Sequence, residues 1–323
     1  MDALSDVLRI IRMEGGVFLH AKFSAPWCIR AHPAPQDCGS LMTDVDALVL
    51  YHYVVEGEMY VATEDEPVLR IGPGEAVMFP RNDAHVLGSD LGLAPVETRD
   101  ILRASTDGRL SDIRHGGGGA STRIVCGFLG CRLMDGNPLM ATLPPVLRVD
   151  TRNGVASAWI QSSLAFAADE IAVGRAGTDL ILAKLSELLF VEALRRYIDD
   201  LPSAQRGWLA GCKDPAVARA LSLMHAGVSE HWTVERLARE VGMSRSVLAE
   251  RFTDCLGEPP MHYLAKWRLH VAAERLRGTH MPMARIAEQV GFESEEAFSR
   301  AFKRQFGLPP ATWRRRADDG KAR

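Results

Sequence analysis

The spacing of apolar residues changes near the middle of the chain. Across residues 13–150, short apolar runs rich in β-branched residues, such as 47–63, alternate with turns such as Pro73-Gly74. Many short strands separated by turns are typical of an antiparallel barrel or sandwich. From residue 156 onward, apolar residues recur at helical intervals. The pattern predicts an α+β protein of two domains, with a sheet domain first and helices after it.

A helix is predicted over residues 178–200, and apolar residues cover most of its surface. A helix of this kind must be buried on several sides, by the sheet domain, a partner helix or a second subunit. Pro202 and Gly207 then predict a linker over residues 203–214. The linker would separate the sheet domain and its helices from the C-terminal third of the chain.

Two helix-turn-helix patterns occupy residues 233–254 and 282–305. In each, a glycine separates two short amphipathic stretches, and hydroxyl residues stand at capping positions, namely Thr233, Ser244 and Ser294. A long helix connects the two patterns. The apolar residues predicted to be buried are Val234, Leu237, Ala238, Val241, Val247, Leu248 and Phe252 in the first pattern, Tyr263, Leu264, Trp267, Leu269, Ala272 and Leu276 in the connecting helix, and Ile286, Ala287, Val290, Ala297, Phe298, Ala301 and Phe302 in the second pattern.

The stretch IAEQVGFESEEAFSRAFKRQFGLPPATWR resembles the C-terminal signature of AraC/XylS-type transcription regulators. The matching residues are Ile286-Ala287, Gly291-Phe292, Ser294, Phe298 to Lys303, Gly307, Pro309-Pro310 and Trp313-Arg314. The resemblance covers about the last third of the chain and implies an all-α DNA-binding domain over residues 215–318. An ordinary helical hairpin would be the alternative for a bare two-helix pattern.

Position matching to this family assigns the residues that would contact DNA. Those assigned to base edges are Arg245, Ser246, Ala249, Glu250, Glu295, Glu296, Ser299 and Arg300, and those assigned to phosphates are Arg251, Lys303 and Arg304. Arginine can form two hydrogen bonds with guanine, and glutamate can accept one from cytosine N4. Phosphate contacts position a protein without reading the sequence. The alternative for Arg300 is a salt bridge to Glu296, one helical turn away.

Residues 1–150 resemble the cupin-like sensor domain that precedes the DNA-binding domain in many AraC-type regulators. The residues that carry this resemblance are Gly57, Pro73-Gly74, Pro80 and His85, with His52, Cys126-Gly127 and Leu143-Pro144 of one subgroup. The resemblance implies a cupin-like antiparallel β-barrel and a dimerising helical segment over residues 151–202. His52, Tyr53 and His85 are the candidates for an effector pocket.

The histidines of this domain raise the question of a metal. Metal-binding cupins supply a His-x-His pair, a Glu and a further His, but residues 43–50 contain no His-x-His. His52 and His85 alone are an incomplete set, because zinc sites use three or four protein ligands. We therefore expect two hydrogen-bonded histidines, no cofactor and no enzymatic activity. The alternative function is a cupin metalloprotein or metalloenzyme with an appended DNA-binding module.

Four cysteines of the sheet domain are candidates for a thiol sensor, namely Cys28, Cys38, Cys126 and Cys131. A sensor thiol needs a lowered pKa and access to solvent, and a neighbouring arginine such as Arg30 favours the former. The alternative for each is a buried, unreactive cysteine. The predicted effector is therefore either a small molecule or an oxidant.

Charge is distributed unevenly along the 323 residues. Residues 1–209 carry 19 Lys and Arg against 27 Asp and Glu, whereas residues 210–323 carry 19 against 14. A basic C-terminal part favours a polyanionic partner there. With six cysteines, no secretory leader and no long apolar run, we expect a cytoplasmic protein with reduced thiols and no membrane contact.

Together these features predict a sequence-specific, DNA-binding transcription regulator with an N-terminal sensor domain. The expected partners are double-stranded promoter DNA, an effector and a second copy of the chain in a homodimer, with RNA polymerase as a further candidate. A nucleoid protein without sequence preference is the remaining alternative.

Overall fold

The computed structural model describes residues 2–11, 13–33, 45, 47–64, 66–102, 112–131, 137–152, 158–163, 166, 176–202 and 205–321. Its strands are β1 (Met13–Ser24), β2 (Cys28–Ala31), β3 (Ala47–Glu56), β4 (Met59–Ala62), β5 (Leu69–Ile71), β6 (Glu75–Phe79), β7 (His85–Gly88), β8 (Val96–Glu97), β9 (Asp112–Gly116), β10 (Ser121–Cys131) and β11 (Leu147–Asp150). Its helices include α1 (Ala3–Ile11), α2 (Thr98–Ile101), α3 (Thr178–Asp200), α4 (Trp208–Lys213), α5 (Pro215–Ala226), α6 (Val234–Glu240), α7 (Arg245–Leu256), α8 (Pro260–Gly278), α9 (Met283–Gln289), α10 (Glu295–Phe306) and α11 (Pro310–Lys321).

The chain divides into two compact units. The sheet unit comprises residues 13–132 and 143–197, and the helical unit comprises residues 1–12, 133–142 and 198–323. Helix α1 therefore groups with the last third of the chain, where it packs on α5 and α8. The segment predicted as a linker, residues 203–214, contains the short helix α4.

The sheet unit is built from two β-sheets, one with the strand order β11-β6-β3-β10-β1-β9 and one with the order β5-β4-β7-β2-β8. Most neighbours are antiparallel, but β1–β9 and β2–β8 are parallel. The core draws on both sheets, including Phe23 and Phe79 of the first and Ile29 and Leu87 of the second. The predicted two-domain α+β class is confirmed. The closed barrel is not, because each described strand pairs only within its own sheet.

A tight turn at Gly57 joins β3 to β4. Gly57 has a φ of +76°, and a Cβ at this position would lie 2.4 Å from the backbone oxygen of Ser121. Only glycine adopts this conformation without strain and permits so close an approach. The turn fixes the end of β3, the strand in which His52 lies opposite Cys126 of β10 and Val77 of β6.

Helix α3 lies on the outer face of the six-stranded sheet. The Tyr51 hydroxyl of β3 forms a hydrogen bond with Ser186 Oγ at 3.0 Å, and Tyr53 and Leu189 line a cavity of about 10 Å³ between sheet and helix. Leu180 and Leu188 of α3 are 67% and 49% exposed. Helix α3 is therefore packed on its sheet side and carries exposed leucines elsewhere. Among the described helices, none combines the length and apolarity that crossing a membrane requires.

The helical unit contains the two predicted helix-turn-helix motifs, α6–α7 and α9–α10, joined by α8. The three predicted caps are confirmed, since Thr233, Ser244 and Ser294 each accept a hydrogen bond from a backbone N–H of the helix they precede. The prediction that Val247 is buried is wrong, because its side chain is 48% exposed. Val247 lies about 100° around α7 from the buried Leu248, which takes it off the packed face.

Aromatic rings form the core of the second motif. The Phe302 ring centroid lies 5.5 Å from that of Phe298, 4.7 Å from that of Phe306 and 5.7 Å from that of Trp313. Phe298 and Phe302 are fully buried, as predicted, and the cluster also includes apolar residues of α8 and α9. The rings hold one face of α10 against the rest of the motif and leave its other face exposed.

A buried histidine lies where α1, α5 and α8 meet. The His225 ring stacks on Trp267 with centroids 3.7 Å apart. The Tyr263 hydroxyl accepts a hydrogen bond from Trp208 Nε1 and donates one to His225 Nε2. Asp6 Oδ2 lies 3.8 Å from the other ring nitrogen of His225. Burial lowers the pKa of His225 from 6.5 to about 3, so the folded protein holds a neutral ring.

We predict that mild acid destabilises the helical unit through His225. The unfolded chain binds a proton near pH 6.5, whereas the folded chain does not until about pH 3. The lowered pKa of His225 therefore leaves the free energy of unfolding at its full value above pH 6.5. As the pH falls, this free energy decreases, by about 2 kcal/mol between pH 7 and pH 5. Hydrogen exchange of peptides from α5 and α8, in the wild type and in His225→Gln at both pH values and corrected for the intrinsic pH dependence of exchange, measures this loss. An equal pH dependence in the two proteins would contradict the prediction.

Candidate functional site

The second helix of each motif presents the residues that the sequence assigns to base edges. Those that are exposed are Arg245, Ser246 and Glu250 on α7 and Glu295, Glu296 and Arg300 on α10, and those that are partly exposed are Ala249 and Ser299. They occupy the N-terminal halves of the two helices, whose opposite faces are buried. Each set therefore lies together on an accessible helical surface, as a groove-reading helix requires.

Two of the assigned arginines form ion pairs. Arg245 Nε lies 2.8 Å from Glu235 Oε1, and Arg251 Nε lies 2.5 Å from Asp214 Oδ2. Exposed pairs contribute little to stability, so Arg245 can exchange Glu235 for a base at small cost. Asp214 also caps α5 and is mostly buried. Arg251 is thus tied to the first turn of α5.

The first turn of α10 is acidic. The N–H of its own backbone and the Ser294 hydroxyl lower the pKa of Glu296, and Arg300 adds a smaller contribution. Glu296 is therefore a carboxylate at neutral pH and a hydrogen-bond acceptor on the exposed face. Lys303 and Arg304, assigned to phosphates, are exposed further along the same helix.

In the sheet unit, three side chains form a hydrogen-bonded chain. His52 Nδ1 lies 3.0 Å from Cys126 Sγ, and His52 Nε2 lies 2.9 Å from His85 Nε2. His85 Nδ1 lies 2.8 Å from the carbonyl oxygen of Asp83. His52 and His85 are 4% and 1% exposed, whereas Cys126 is partly exposed. Phe79 stacks on the His85 ring with centroids 3.5 Å apart, which holds the ring in place.

The carbonyl oxygen of Asp83 is the last acceptor in this series of hydrogen bonds, and it determines which atom donates in each of them. A carbonyl oxygen only accepts, so His85 Nδ1 carries the proton and donates to Asp83. In the neutral ring, His85 Nε2 is then an acceptor, and His52 Nε2 donates to it. His52 Nδ1 is left with a lone pair and accepts from the Cys126 thiol. The chain runs from the thiol through two imidazoles to the backbone.

Burial keeps the three hydrogen-bonded side chains, Cys126, His52 and His85, uncharged. It lowers the pKa of His52 well below the usual value, with a further lowering by His85. Burial also lowers the pKa of His85 to about 4, against the opposing effect of the Asp83 carbonyl. It raises the pKa of the Cys126 thiol to about 12. At neutral pH, Cys126 is a protonated thiol hydrogen-bonded to a neutral base.

The arrangement does not suit a metal ion. Cys126 and His85 bond to opposite nitrogens of His52, so no single point lies within coordination distance of all three side chains. Among the described residues, no group of three or more His, Cys, Asp and Glu side chains has the geometry to hold one. Both histidines instead use their lone pairs and protons within the chain.

The remaining residues singled out from the sequence lie apart from this chain. Tyr53 lines the cavity under α3, on the opposite side of β3 from His52. Cys28 is buried, and burial raises the pKa of its thiol more than Arg30 lowers it. Cys131 is also buried. Cys38 lies outside the described residues.

The contact between Cys126 and His52 is absent from the expectations based on sequence, which left the two residues as separate candidates. Each residue lies at an inward position of its own strand, and the alternation of inward and outward side chains can be predicted from the sequence. The register that places them opposite each other depends on the pairing of β3 with β10, which no local pattern specifies.

Comparisons with family models agree with this architecture. A model described as "Cupin" matches residues 2–199, and one described as "Helix-turn-helix domain" matches residues 237–316. Among solved structures, the DNA-binding domain of AdpA in complex with a target DNA is 28% identical and covers 34% of this chain and 98% of that chain, with a TM-score of 0.33.

Relatives match the chain over nearly its whole length. A putative AraC-like transcription regulator of Streptomyces lividans is 31% identical over 98% of both chains. The RCS-specific HTH-type transcriptional activator RclR of Escherichia coli is 27% identical, also over 98% of both. The chain belongs to the family of AraC-like transcription regulators and combines a cupin domain with a DNA-binding helix-turn-helix domain.

Proposed function

We propose that this regulator binds promoter DNA sequence-specifically through α7 and α10, and that chemical modification of Cys126 in the cupin domain controls this binding. One observation carries the sensing part of the proposal: His52 accepts a hydrogen bond from the Cys126 thiol and donates one to His85. Cys126 is a partly exposed residue whose thiol pKa is raised by burial, and the hydrogen bonds join this thiol to one base and to a second base behind it.

The base-reading residues are those that lie on the exposed N-terminal halves of α7 and α10. They are Arg245, Ser246, Ala249, Glu250, Glu295, Glu296, Ser299 and Arg300. Arginine there selects guanine, and glutamate selects cytosine. Lys303 and Arg304 contribute sequence-independent contacts to phosphates.

Oxidation of Cys126 by a hydroperoxide illustrates the chemistry. Because burial raises the pKa of the Cys126 thiol, its proton leaves only as the sulfur reacts: it passes to His52 Nδ1 while the proton on His52 Nε2 passes to His85 Nε2. The sulfur attacks the peroxide, so that an S–O bond forms and the O–O bond breaks. The proton then returns by the same route: His52 Nδ1 donates a proton to the leaving oxygen, and His85 Nε2 returns its proton to His52 Nε2. Thiol and hydroperoxide become sulfenic acid and alcohol, or water where the oxidant is hydrogen peroxide.

Such a modification has a structural consequence because it alters the hydrogen bond between the Cys126 thiol and His52. Cys126 Sγ already lies at hydrogen-bond distance from His52 Nδ1. An added atom on the sulfur removes the S–H donor, and an atom added on the His52 side displaces the imidazole or separates β3 from β10. Because β3 and β10 are central strands of the six-stranded sheet, the displacement affects the whole unit.

The test is binding of the full-length protein to the promoter region of its own gene, in competition with scrambled DNA. We expect specific binding whose apparent Kd changes about tenfold between the oxidised protein and protein treated with dithiothreitol, equivalent to ~1.4 kcal/mol of coupling. The oxidants are hydrogen peroxide and, because one relative is named RCS-specific, RCS. Cys126→Ala should bind DNA and lose the response.

Cys255→Ser is the matched control, because Cys255 is a partly exposed cysteine of the helical unit. It should respond like the wild type. Specific binding with the same apparent Kd in the oxidised and reduced protein would overturn the thiol mechanism. The search would then turn to a small ligand of the cupin domain. Binding without preference for the promoter would contradict sequence-specific recognition itself.

We also propose a homodimer formed through α3, supported by the exposed Leu180, Ile181 and Leu188 on this helix. Exposed apolar patches of this kind often mark contact surfaces. Analytical ultracentrifugation of wild type and Leu188→Glu tests it, and a monomeric wild type would exclude it.

A further inference from the structure

Helix α8 connects the two helix-turn-helix motifs, and one residue near its middle is bonded to the loop before the first motif and to the turn of the second. Arg268 Nε donates to the Val228 carbonyl oxygen at 2.9 Å and Nη2 donates to the Glu230 carbonyl oxygen at 2.7 Å. Its Nη1 donates to the Gly291 carbonyl oxygen at 3.0 Å. All three nitrogens of the guanidinium group are thus used on backbone acceptors from two separate loops.

One of these loops leads into the first motif, and the other is the turn inside the second motif. Val228 and Glu230 lie between α5 and α6, directly before the first motif. Gly291 lies in the turn between α9 and α10, three residues before the Ser294 cap of the second recognition helix. A residue that served only the stability of one motif would need acceptors from that motif alone.

The close approach of the second loop depends on glycine. Gly291 has a φ of +80°, and a Cβ there would lie 2.8 Å from Arg268 Cζ. The backbone of the turn therefore lies directly on the guanidinium plane, where any side chain would intervene. The first loop is tied onward to α6, because the Glu230 carboxylate pairs with Arg236, which itself lies over the Trp232 ring.

The apolar contacts of α8 hold each motif to this helix separately. Tyr263 packs on Phe252 of the first motif, whereas Leu269, Ala272 and Leu276 belong to the cluster of the second. Each core fixes its own motif to α8. The Arg268 guanidinium adds hydrogen bonds to both, in a rigid planar geometry that a lysine ammonium group cannot reproduce.

We infer that Arg268 is a positioning residue that sets the relative placement of the two recognition helices, and so restricts the protein to one spacing between the two halves of its DNA site. The inference rests on the proposed sequence-specific binding through both motifs. One base pair of added spacing moves a half-site about 3.4 Å along the duplex and rotates it about 34°. A rigidly coupled pair of helices cannot follow that change without losing contacts.

The experiment begins by selecting binding sites for the full-length wild type from random duplex DNA. The selected duplex is then remade with one base pair inserted or deleted between its two halves, and also with one half scrambled. We expect the wild type to lose about tenfold or more in affinity on either spacing change. Arg268→Met should bind the selected duplex more weakly, bind the single half-site like the wild type, and lose most of the discrimination among spacings.

Arg268→Lys provides a second variant that keeps the charge and the long side chain, and we expect it to lose spacing discrimination too. Arg277→Met is the matched control, because Arg277 lies on the same helix but over the Trp313 ring; it should discriminate as the wild type does. The inference is overturned if Arg268→Lys keeps the wild-type ratio of affinities among spacings, or if the wild type itself tolerates both changes. Failure to select any sequence would instead contradict the proposed function.

Discussion

Replacing Phe302 by alanine should destabilise the helical unit by about 3–5 kcal/mol, the usual cost of removing a buried phenylalanine side chain. The ring is fully buried and lies within 5.7 Å, centroid to centroid, of Phe298, Phe306 and Trp313. Its loss leaves a cavity in the layer that holds α10 against α8 and α11. Because α10 is the proposed second recognition helix, DNA affinity should fall with stability.

Hydrogen exchange followed by mass spectrometry measures this effect, because peptides from α8 to α11 report the local free energy of opening. It also avoids assigning one unfolding transition to a chain of two units. Val247→Ala is the control, since Val247 is half exposed and its truncation should cost less than about 0.5 kcal/mol. Exchange in Phe302→Ala as slow as in this control would show that the aromatic cluster does not hold α10.

The helical unit could be predicted in detail because its determinants are local. The caps at Thr233, Ser244 and Ser294 and most of the buried positions of the second motif are read from neighbours within a few residues, and the structure confirms them. In the first motif Val247 is exposed instead of buried. Four other positions predicted to be buried in the two motifs are only partly buried, namely Val234, Val241, Ala297 and Ala301. An apolar residue next to Leu248 fits a buried pattern in sequence, but the helix has one packed face and Val247 lies outside it.

The candidate sensor could not be predicted in the same way because its contacts are distant along the chain. His52 and Cys126 are 74 residues apart, and only the register of β3 against β10 brings them together. A register shift of one residue would turn one of the side chains to the other face of the sheet. Local patterns fail to predict two other features for the same reason. One is the ion pair of Arg251 with Asp214, 37 residues away, and the other is the grouping of α1 with the helical unit.

The hydrogen bonds of Arg268 also could not be predicted, because its acceptors are distant along the sequence. In a helical pattern it is one more polar residue on α8, and nothing nearby indicates a partner. Its acceptors at Val228 and Gly291 lie 40 and 23 residues away in opposite directions. Carbonyl acceptors carry no sequence signal, since every residue has one.

Reversing the charge of Arg300 should lower the affinity for the selected DNA site by at least about 100-fold. Arg300 is exposed on the N-terminal half of α10, where a bidentate contact with guanine is worth about 1–3 kcal/mol. Arg300→Glu removes that contact and places a carboxylate close to the phosphates. It also places two glutamates one turn apart, at 296 and 300, at a cost of only a few tenths of a kcal/mol to the helix.

The matched control is Arg219→Glu, which makes the same change of charge at an exposed position of α5. It should weaken binding only through the general field of the protein, and high salt should remove most of its effect. Arg300→Ala completes the set: it should relax the preference at one base pair of the selected site while leaving the other positions as specific as before. If Arg300→Glu lost no more affinity than Arg219→Glu, Arg300 would not read a base. The exposed face of α10 would then contribute charge alone, and the sequence preference would have to come from α7.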